Sequence, residues 1–166
     1  MCGRRGTTAP MEHHQIAVSV NGRHRQATVE AGTTLLHAVR DEFELTGAKP
    51  VCEVGTCGAC TVIVDDEAVY SCLVLAAECD GRSVDTVEGL ADENGPSDLQ
   101  QAFAECDALQ CGFCTAGQLM SLEALRRSDS SPGRDAIERS VQGNLCRCGA
   151  YRHILEAAEK ALGATS

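Results

Sequence analysis

Tryptophan is absent from the 166 residues, and there are only three phenylalanines and two tyrosines. Nucleic-acid bases would find few rings to stack on, and a formal net charge of -10, from 24 acidic and 14 basic side chains, repels phosphate backbones. No nucleic acid is therefore expected as a partner. No apolar run approaches the ~18 residues of a membrane span. The opening Met1-Cys-Gly-Arg-Arg-Gly-Thr-Thr-Ala-Pro10 contains an arginine pair with no apolar stretch behind it, so neither a span nor an export signal is expected. The compartment predicted is the cytoplasm, where thiols stay reduced. Also missing are a Gly-rich phosphate loop, a catalytic triad and a His-Glu-x-x-His motif. The five histidines, His13, His14, His24, His37 and His153, read as solvated or structural, and none has the Cys-x-His spacing of a Rieske centre. The chain is expected to have no substrate-converting site of its own.

What the sequence has in abundance is cysteine, eleven in all, and eight of them form two sets. The first, Cys52, Cys57, Cys60 and Cys72, reads Cys-x4-Cys-x2-Cys and then eleven residues to the fourth, the plant-type [2Fe-2S] ferredoxin spacing. A binuclear rhomb needs two thiolates on each iron. The loop from Cys52 to Cys60 can wrap one edge while Cys72 closes from afar. Gly55 and Gly58 can take positive φ and let backbone N–H groups approach the sulfurs. Zinc favours paired Cys-x2-4-Cys knuckles and seldom a three-cysteine wrap with a four-residue gap. The second set, Cys111, Cys114, Cys146 and Cys148, is less specific: Cys-x2-Cys, thirty-one residues, Cys-x-Cys, a spacing that zinc or a redox disulfide could also use. Cys2, Cys79 and Cys106 belong to neither set and read as small hydrophobes or inert thiols.

Hydrophobic periodicity divides the chain. Residues 1–14 read as a flexible tail, with Met11 a possible alternative start. Residues 15–90 read as strands and one helix. Ile16, Val18 and Val20 alternate, Asn21-Gly22 signals a type I′ hairpin, and Gln26 to Val29 returns. Thr33 or Thr34 then caps a helix whose Leu35, Val39 and Phe43 face inward and which Gly47 stops. Strands at Thr61 to Val64, near Val69 to Ser71 and near Ser83 to Val87 complete a β-grasp pattern, with Asp65-Asp66-Glu67 as a turn. Residues 91–98 are polar, contain Gly95 and Pro96, and read as a linker. Residues 99–166 read as four helices, with stripes Leu99, Ala102, Phe103; Leu119, Leu122 and Leu125 or Arg126; Ile137, Val141 after Ser131-Pro132; and Tyr151, Ile154 or Leu155, Ala158, Leu162. The predicted class is α+β, a ferredoxin-like domain followed by a four-helix domain that a metal centre helps to hold together. Lying on opposite sides of the linker, the two sets are expected to assemble independently.

The strings Val51-Cys-Glu-Val-Gly-Thr-Cys-Gly-Ala-Cys-Thr-Val62, Gln110-Cys-Gly-Phe-Cys114 and Gly143-Asn-Leu-Cys-Arg-Cys148 resemble the small iron-sulfur subunit of molybdenum hydroxylases, the xanthine oxidase family. The resemblance runs from about Ile16 to Leu162. It departs at Val51, where many relatives carry glycine. It implies a [2Fe-2S] cluster on each cysteine set, a molybdopterin-binding large subunit, an FAD-binding medium subunit, and a heterotrimer or its dimer. It also implies that Gln110 and Cys148 contact the molybdopterin. Electrons would pass singly from molybdenum to the C-terminal cluster, the N-terminal cluster and then FAD. The Cys-Arg-Cys-Gly-Ala-Tyr151 ending is similar to some aldehyde-oxidising members; the resemblance leaves aldehydes, N-heteroaromatics, purines and, least favoured, carbon monoxide as substrates. A freestanding two-cluster ferredoxin is the alternative, and a zinc-stabilised module, which would be colourless, is the second rival.

Overall fold

The computed structural model describes residues 12–163. The readings placed on Cys2 and Met11 lie outside them. Asn21 and Gly22, with φ of 50° and 71°, form the two-residue reversal between β1 (His13–Val20) and β2 (Arg23–Glu30), which pair antiparallel along their whole length. Both central residues of a type I′ turn need positive φ, which is why Asn-Gly sits there. The strand starts earlier than the sequence reading had it. His13 and His14, assigned to the tail, are paired with Glu30 and Val29 in the ladder.

Beyond β2, Thr34 caps a single α-turn, α1 (Leu35–His37), by accepting from the His37 N–H, and the chain continues as π-wound turns over Ala38–Glu42. Leu35, Val39 and Phe43 are buried as the periodicity required. Gly47 does not end this helix. The chain leaves it at Phe43, and Glu44 reverses with φ of 58°. Gly47 instead presses on the turn over Val87–Leu90, its N–H donating to Glu88 Oε1 at 2.7 Å, a close approach that a side chain would block. β3 (Thr61–Val64) and β4 (Glu67–Tyr70) are antiparallel across Asp65-Asp66, and β5 (Ser83–Asp85) joins β1 in parallel and β3 antiparallel. The sheet order β2-β1-β5-β3-β4, with the helical segment on one face, is a β-grasp.

β3 shows no polar alternation: all four residues are buried. Val62 and Val64 point into the first core, and the helix α3 (Thr115–Ser128) covers the other face. α3 is itself buried continuously from Ala116 to Glu123, because it lies between the sheet and the remaining helices. These are α2 (Asp98–Glu105), α4 (Arg134–Val141) and α5 (Tyr151–Leu162). α2 opens on a capping box, Ser97 with Gln100, inside the segment read as linker. The second core gathers Leu99, Phe103, Leu119, Leu122, Ile137 and Ile154. Tyr151 departs from its predicted stripe: it is exposed, and its hydroxyl accepts from the Cys146 N–H at 2.8 Å.

The two halves are fastened together. Arg127 of α3 binds Glu123 on its own helix at 3.0 Å, Asp85 of β5 at 2.7 Å and Asp66 of the β3–β4 turn at 3.2 Å. Burial pushes the Glu123 carboxyl up, but hydrogen bonds from Arg126 and then Arg127 outweigh it and hold the group below the ordinary carboxylate range. Arg127→Ala should lower stability by about 1.5–3 kcal/mol, the range for hydrogen bonds to charged groups. Arg152→Ala, which removes only an exposed pair with Glu156, should stay within about 0.5 kcal/mol. Urea unfolding of the metal-loaded variants compares them; equal losses would contradict the proposed role of Arg127.

Candidate metal centres

The first thiol set sits on the loop between the helical segment and β3, with Cys72 on the tight turn Ser71–Leu73 after β4. Positive φ at Glu53 (52°), Gly55 (74°) and Gly58 (69°) bends that loop round its own sulfurs. The Thr56 N–H donates to Cys52 Sγ at 3.4 Å. Cys57 stands beside Cys52, and Cys72 and Cys57 stand beside Cys60. The bonds from the Thr56 hydroxyl, then from the backbone of Val54 and Thr56, lower the Cys52 thiol to about 6. Burial, with Cys72 alongside, pushes Cys60 up to about 11.

The second set is assembled from two turns. Cys111 and Cys114 lie in the approach to α3, where Cys114 is the residue before its first turn, and Cys146 and Cys148 lie between α4 and α5. The sulfurs of Cys148 and Cys111 are 3.6 Å apart, and Cys146 stands beside Cys114. The Ala150 N–H donates to Cys146 Sγ at 3.4 Å. Cys111 is exposed and lowered, first by the Phe113 backbone N–H and then by Cys148, whereas burial raises Cys114 to about 12. Gln110 is exposed in the same turn, next to Cys111.

In both sets the thiols meet in pairs. A tetrahedral zinc needs four ligands at about 2.0–2.3 Å from one centre; two thiolates on each of two irons is the arrangement that pairs allow. The Thr115 hydroxyl, buried without a partner one residue after Cys114, is a donor that a sulfur acceptor would satisfy. The donor sets therefore fit binuclear clusters. Val51, 53% exposed, stands at the rim of the first set and does not prevent its thiols from meeting.

Cys79 is buried in the first core, its thiol pushed up by burial, as a small hydrophobe would be. Cys106 packs against the second core, and its carbonyl lies 2.9 Å from His153 Nδ1. A groove of about 480 Å³ beside the linker is lined by Asp92, Pro96, Asp98, Glu123 and Arg126, and no cysteine reaches it.

Sequence reading passed over the residues that join the two sets. The Leu145 N–H donates to the Cys57 carbonyl at 2.9 Å. Asn144 Nδ2 donates to the Gly58 carbonyl at 2.9 Å and Thr61 Oγ1 at 3.2 Å, while its own side-chain oxygen accepts from Ser121 Oγ at 2.8 Å. Tyr70 Oη donates to the Gly143 carbonyl at 3.1 Å. A Cβ at Gly117 would overlap the Gly58 carbonyl, and one at Gly58 would overlap the Gly143 carbonyl. The two cysteine loops therefore touch, through backbone, across the seam between the domains. Asn144 lay inside a quoted motif, but its partners are more than 80 residues away in sequence.

A β-grasp domain and a helical domain each bring four cysteines together on turns, the class of fold and donor set that iron-sulfur proteins use. Residues 18–91 match the model of the 2Fe-2S iron-sulfur cluster binding domain, and residues 86–159 that of the [2Fe-2S] binding domain. The chain is 49% identical over 157 residues to the nicotine 6-hydroxylase small subunit of Paenarthrobacter nicotinovorans, covering 95% of this chain and 94% of that one. It is 40% identical over 147 residues to the nicotinate dehydrogenase small FeS subunit of Eubacterium barkeri, covering 89% of this chain and 94% of that one. The crystal structure of quinoline 2-oxidoreductase from Pseudomonas putida 86 superposes with a TM-score of 0.86 at 40% identity, over 90% of this chain and 93% of that chain. The chain belongs to the small iron-sulfur subunits of the molybdenum hydroxylases.

Thiol reactivity checks the described geometry. In the metal-free chain at neutral pH, Cys52 and Cys111 should alkylate first, being both accessible and acidic, and Cys60, Cys79 and Cys114 last. Mass-mapped iodoacetamide labelling gives the order; fast labelling of Cys60 or Cys114 would contradict it.

Proposed function

We propose that Cys52, Cys57, Cys60 and Cys72 hold one [2Fe-2S] cluster, and Cys111, Cys114, Cys146 and Cys148 the other. The chain is the electron-transfer subunit of a molybdenum-dependent oxidoreductase. We further propose that it passes electrons one at a time from a molybdopterin site on a large subunit, through the C-terminal centre and then the N-terminal one, to FAD on a medium subunit. The assembly is a heterotrimer or its dimer, placed in the cytoplasm, where the described cysteines remain thiols. Among the described residues no helix is long and apolar enough to cross a membrane.

The observation that carries this reading is a division between outer and inner thiols. Cys111 and Cys148 are exposed beside Leu109, Phe113 and Leu145, apolar residues 43%, 56% and 55% exposed. An apolar rim around exposed ligands suits a partner subunit that brings a redox group close and excludes water. Gln110, on that rim, would hydrogen-bond the pterin, and Cys148 would touch its amino group. A second rim, Val51, Val54 and Leu73, surrounds the first set, beside half-exposed Cys52, and suits the flavin subunit. Bound there, iron-sulfur clusters supply one-electron storage. This chain supplies N–H donors to sulfur from Thr56 and Ala150, and burial of Cys60, Cys72 and Cys146, the means by which a protein sets cluster potential. A freestanding ferredoxin would have no use for two such rims or for the helical domain.

Purified chain should contain about four irons and four acid-labile sulfides, with two distinguishable EPR signals after reduction. Stoichiometric zinc in a colourless protein would overturn the reading. In the assembled complex, Gln110→Ala should keep its iron but turn over severalfold more slowly, since one neutral hydrogen bond contributes about 0.5–1.5 kcal/mol. Unchanged turnover would remove Gln110 from the cofactor contact.

A further inference from the structure

We infer that Asn144 is a positioning residue for electron passage between the two centres, and that the route is the backbone bridge from Cys146 through Leu145 to Cys57. The inference rests on the two-cluster reading above and adds to it where the electron crosses.

The route is nearly all covalent. From the Cys146 sulfur it follows that residue's Cβ and Cα to its amide, then Leu145 to its N–H, and crosses a single 2.9 Å hydrogen bond to the Cys57 carbonyl. From there Cα and Cβ lead to the Cys57 sulfur. Electronic coupling decays far less steeply through bonds than through space, so one short hydrogen bond between ligand residues of opposite sets makes a strong bridge. With clusters bound, one electron would leave the centre that Cys146 helps to hold and arrive at the centre that Cys57 helps to hold, with no proton transferred. The ligands at either end of this bridge, Cys57 and Cys146, are half-buried and buried, whereas Cys111 and Cys148 face outward.

What fixes the bridge is Asn144. Its Nδ2 holds the Gly58 carbonyl and Thr61 Oγ1, and its main-chain carbonyl accepts from Gln118 Nε2 at 2.9 Å. Thr61 Oγ1 in turn donates to the same Gly58 carbonyl at 2.7 Å. Asn144 is 1% exposed, so no water competes for these bonds. Gly58 and Asn144 each neighbour one end of the bridge, so their bond sets the Cys57–Leu145 distance.

The experiment uses the metal-loaded full chain with Asn144→Asp and Thr61→Val. The first keeps the oxygen that accepts from Ser121 and replaces the donating amide by an oxygen that repels the Gly58 carbonyl. The second is a neutral isostere that removes one support. Iron and sulfide are counted first. Low-temperature EPR of the fully reduced chain then reads the magnetic splitting between the centres, and flash reduction reads the rate at which an electron equilibrates between them. The expected result is full iron, unchanged g values for each centre taken alone, reduced splitting and a severalfold slower equilibration, larger in Asn144→Asp than in Thr61→Val. Unchanged splitting and rate in an iron-replete Asn144→Asp would overturn the inference. If that variant loses iron, Thr61→Val decides by the same criterion. Absence of iron from the unaltered chain would sink the two-cluster reading and this inference with it, a failure distinct from full iron with unaltered coupling.

Discussion

Both amide hydrogens of Asn144 are directed at the other half of the molecule, one to a carbonyl of the first cysteine loop and one to the strand that loop runs into. Much of the surrounding sequence follows from accommodating this contact. Gly58 and Gly117 must lack side chains because backbone passes where a Cβ would sit. Thr61 must be polar on a strand that is otherwise apolar, and inside the buried helix α3 Ser121 donates to the Asn144 side-chain oxygen and Gln118 to its main-chain carbonyl. A buried polar network of this kind stabilises only when its members are satisfied, since each unpaired group costs about 1–3 kcal/mol. The oxygen of Gln118 and the hydroxyl of Thr115 are the exceptions among the described residues, and Thr115 directly follows a cysteine of the second set.

This contact turns two small domains into one device. Each has its own core and its own family match, and neither buries much surface alone. α3 is shared: it covers β3 on one side and packs with the other helices on the opposite side, and Arg127 ties its last turn back to the sheet. A relay needs its two stations at a fixed separation, and shared burial with a hydrogen-bonded seam provides that better than a flexible linker would. The gradient across the chain has a matching direction. Thiols lowered by hydrogen bonds, Cys52 first by the Thr56 hydroxyl and Cys111 first by the Phe113 N–H, lie at the rims, and thiols raised by burial lie inward.

What could be read from the sequence was what is local. Close cysteine spacing is a property of a single loop, so the first set announced its chemistry unaided. Asn21-Gly22 forced the hairpin for the same reason, and the periodic stripes identified the cores. The second set was ambiguous alone, because its halves come from turns more than thirty residues apart; the family resemblance gave it meaning. Tyr151 and the start of α2 departed from their stripe and linker, and three further features went unread. Gly47 looked like a helix stop but is a point of close approach to the turn at Val87. His13 and His14 looked like tail because polar residues on an edge hairpin carry no hydrophobic signal. The seam at Asn144 was invisible because its partners lie in another domain.

The central claim is that electrons enter through the helical domain and leave through the ferredoxin-like one. Cys60→Ser in the assembled complex tests it most directly, since it removes a ligand from the N-terminal centre only. On anaerobic addition of substrate, the account predicts that the C-terminal EPR signal still appears while the flavin stays oxidised. Flavin reduced at the normal rate with the N-terminal centre missing would contradict it.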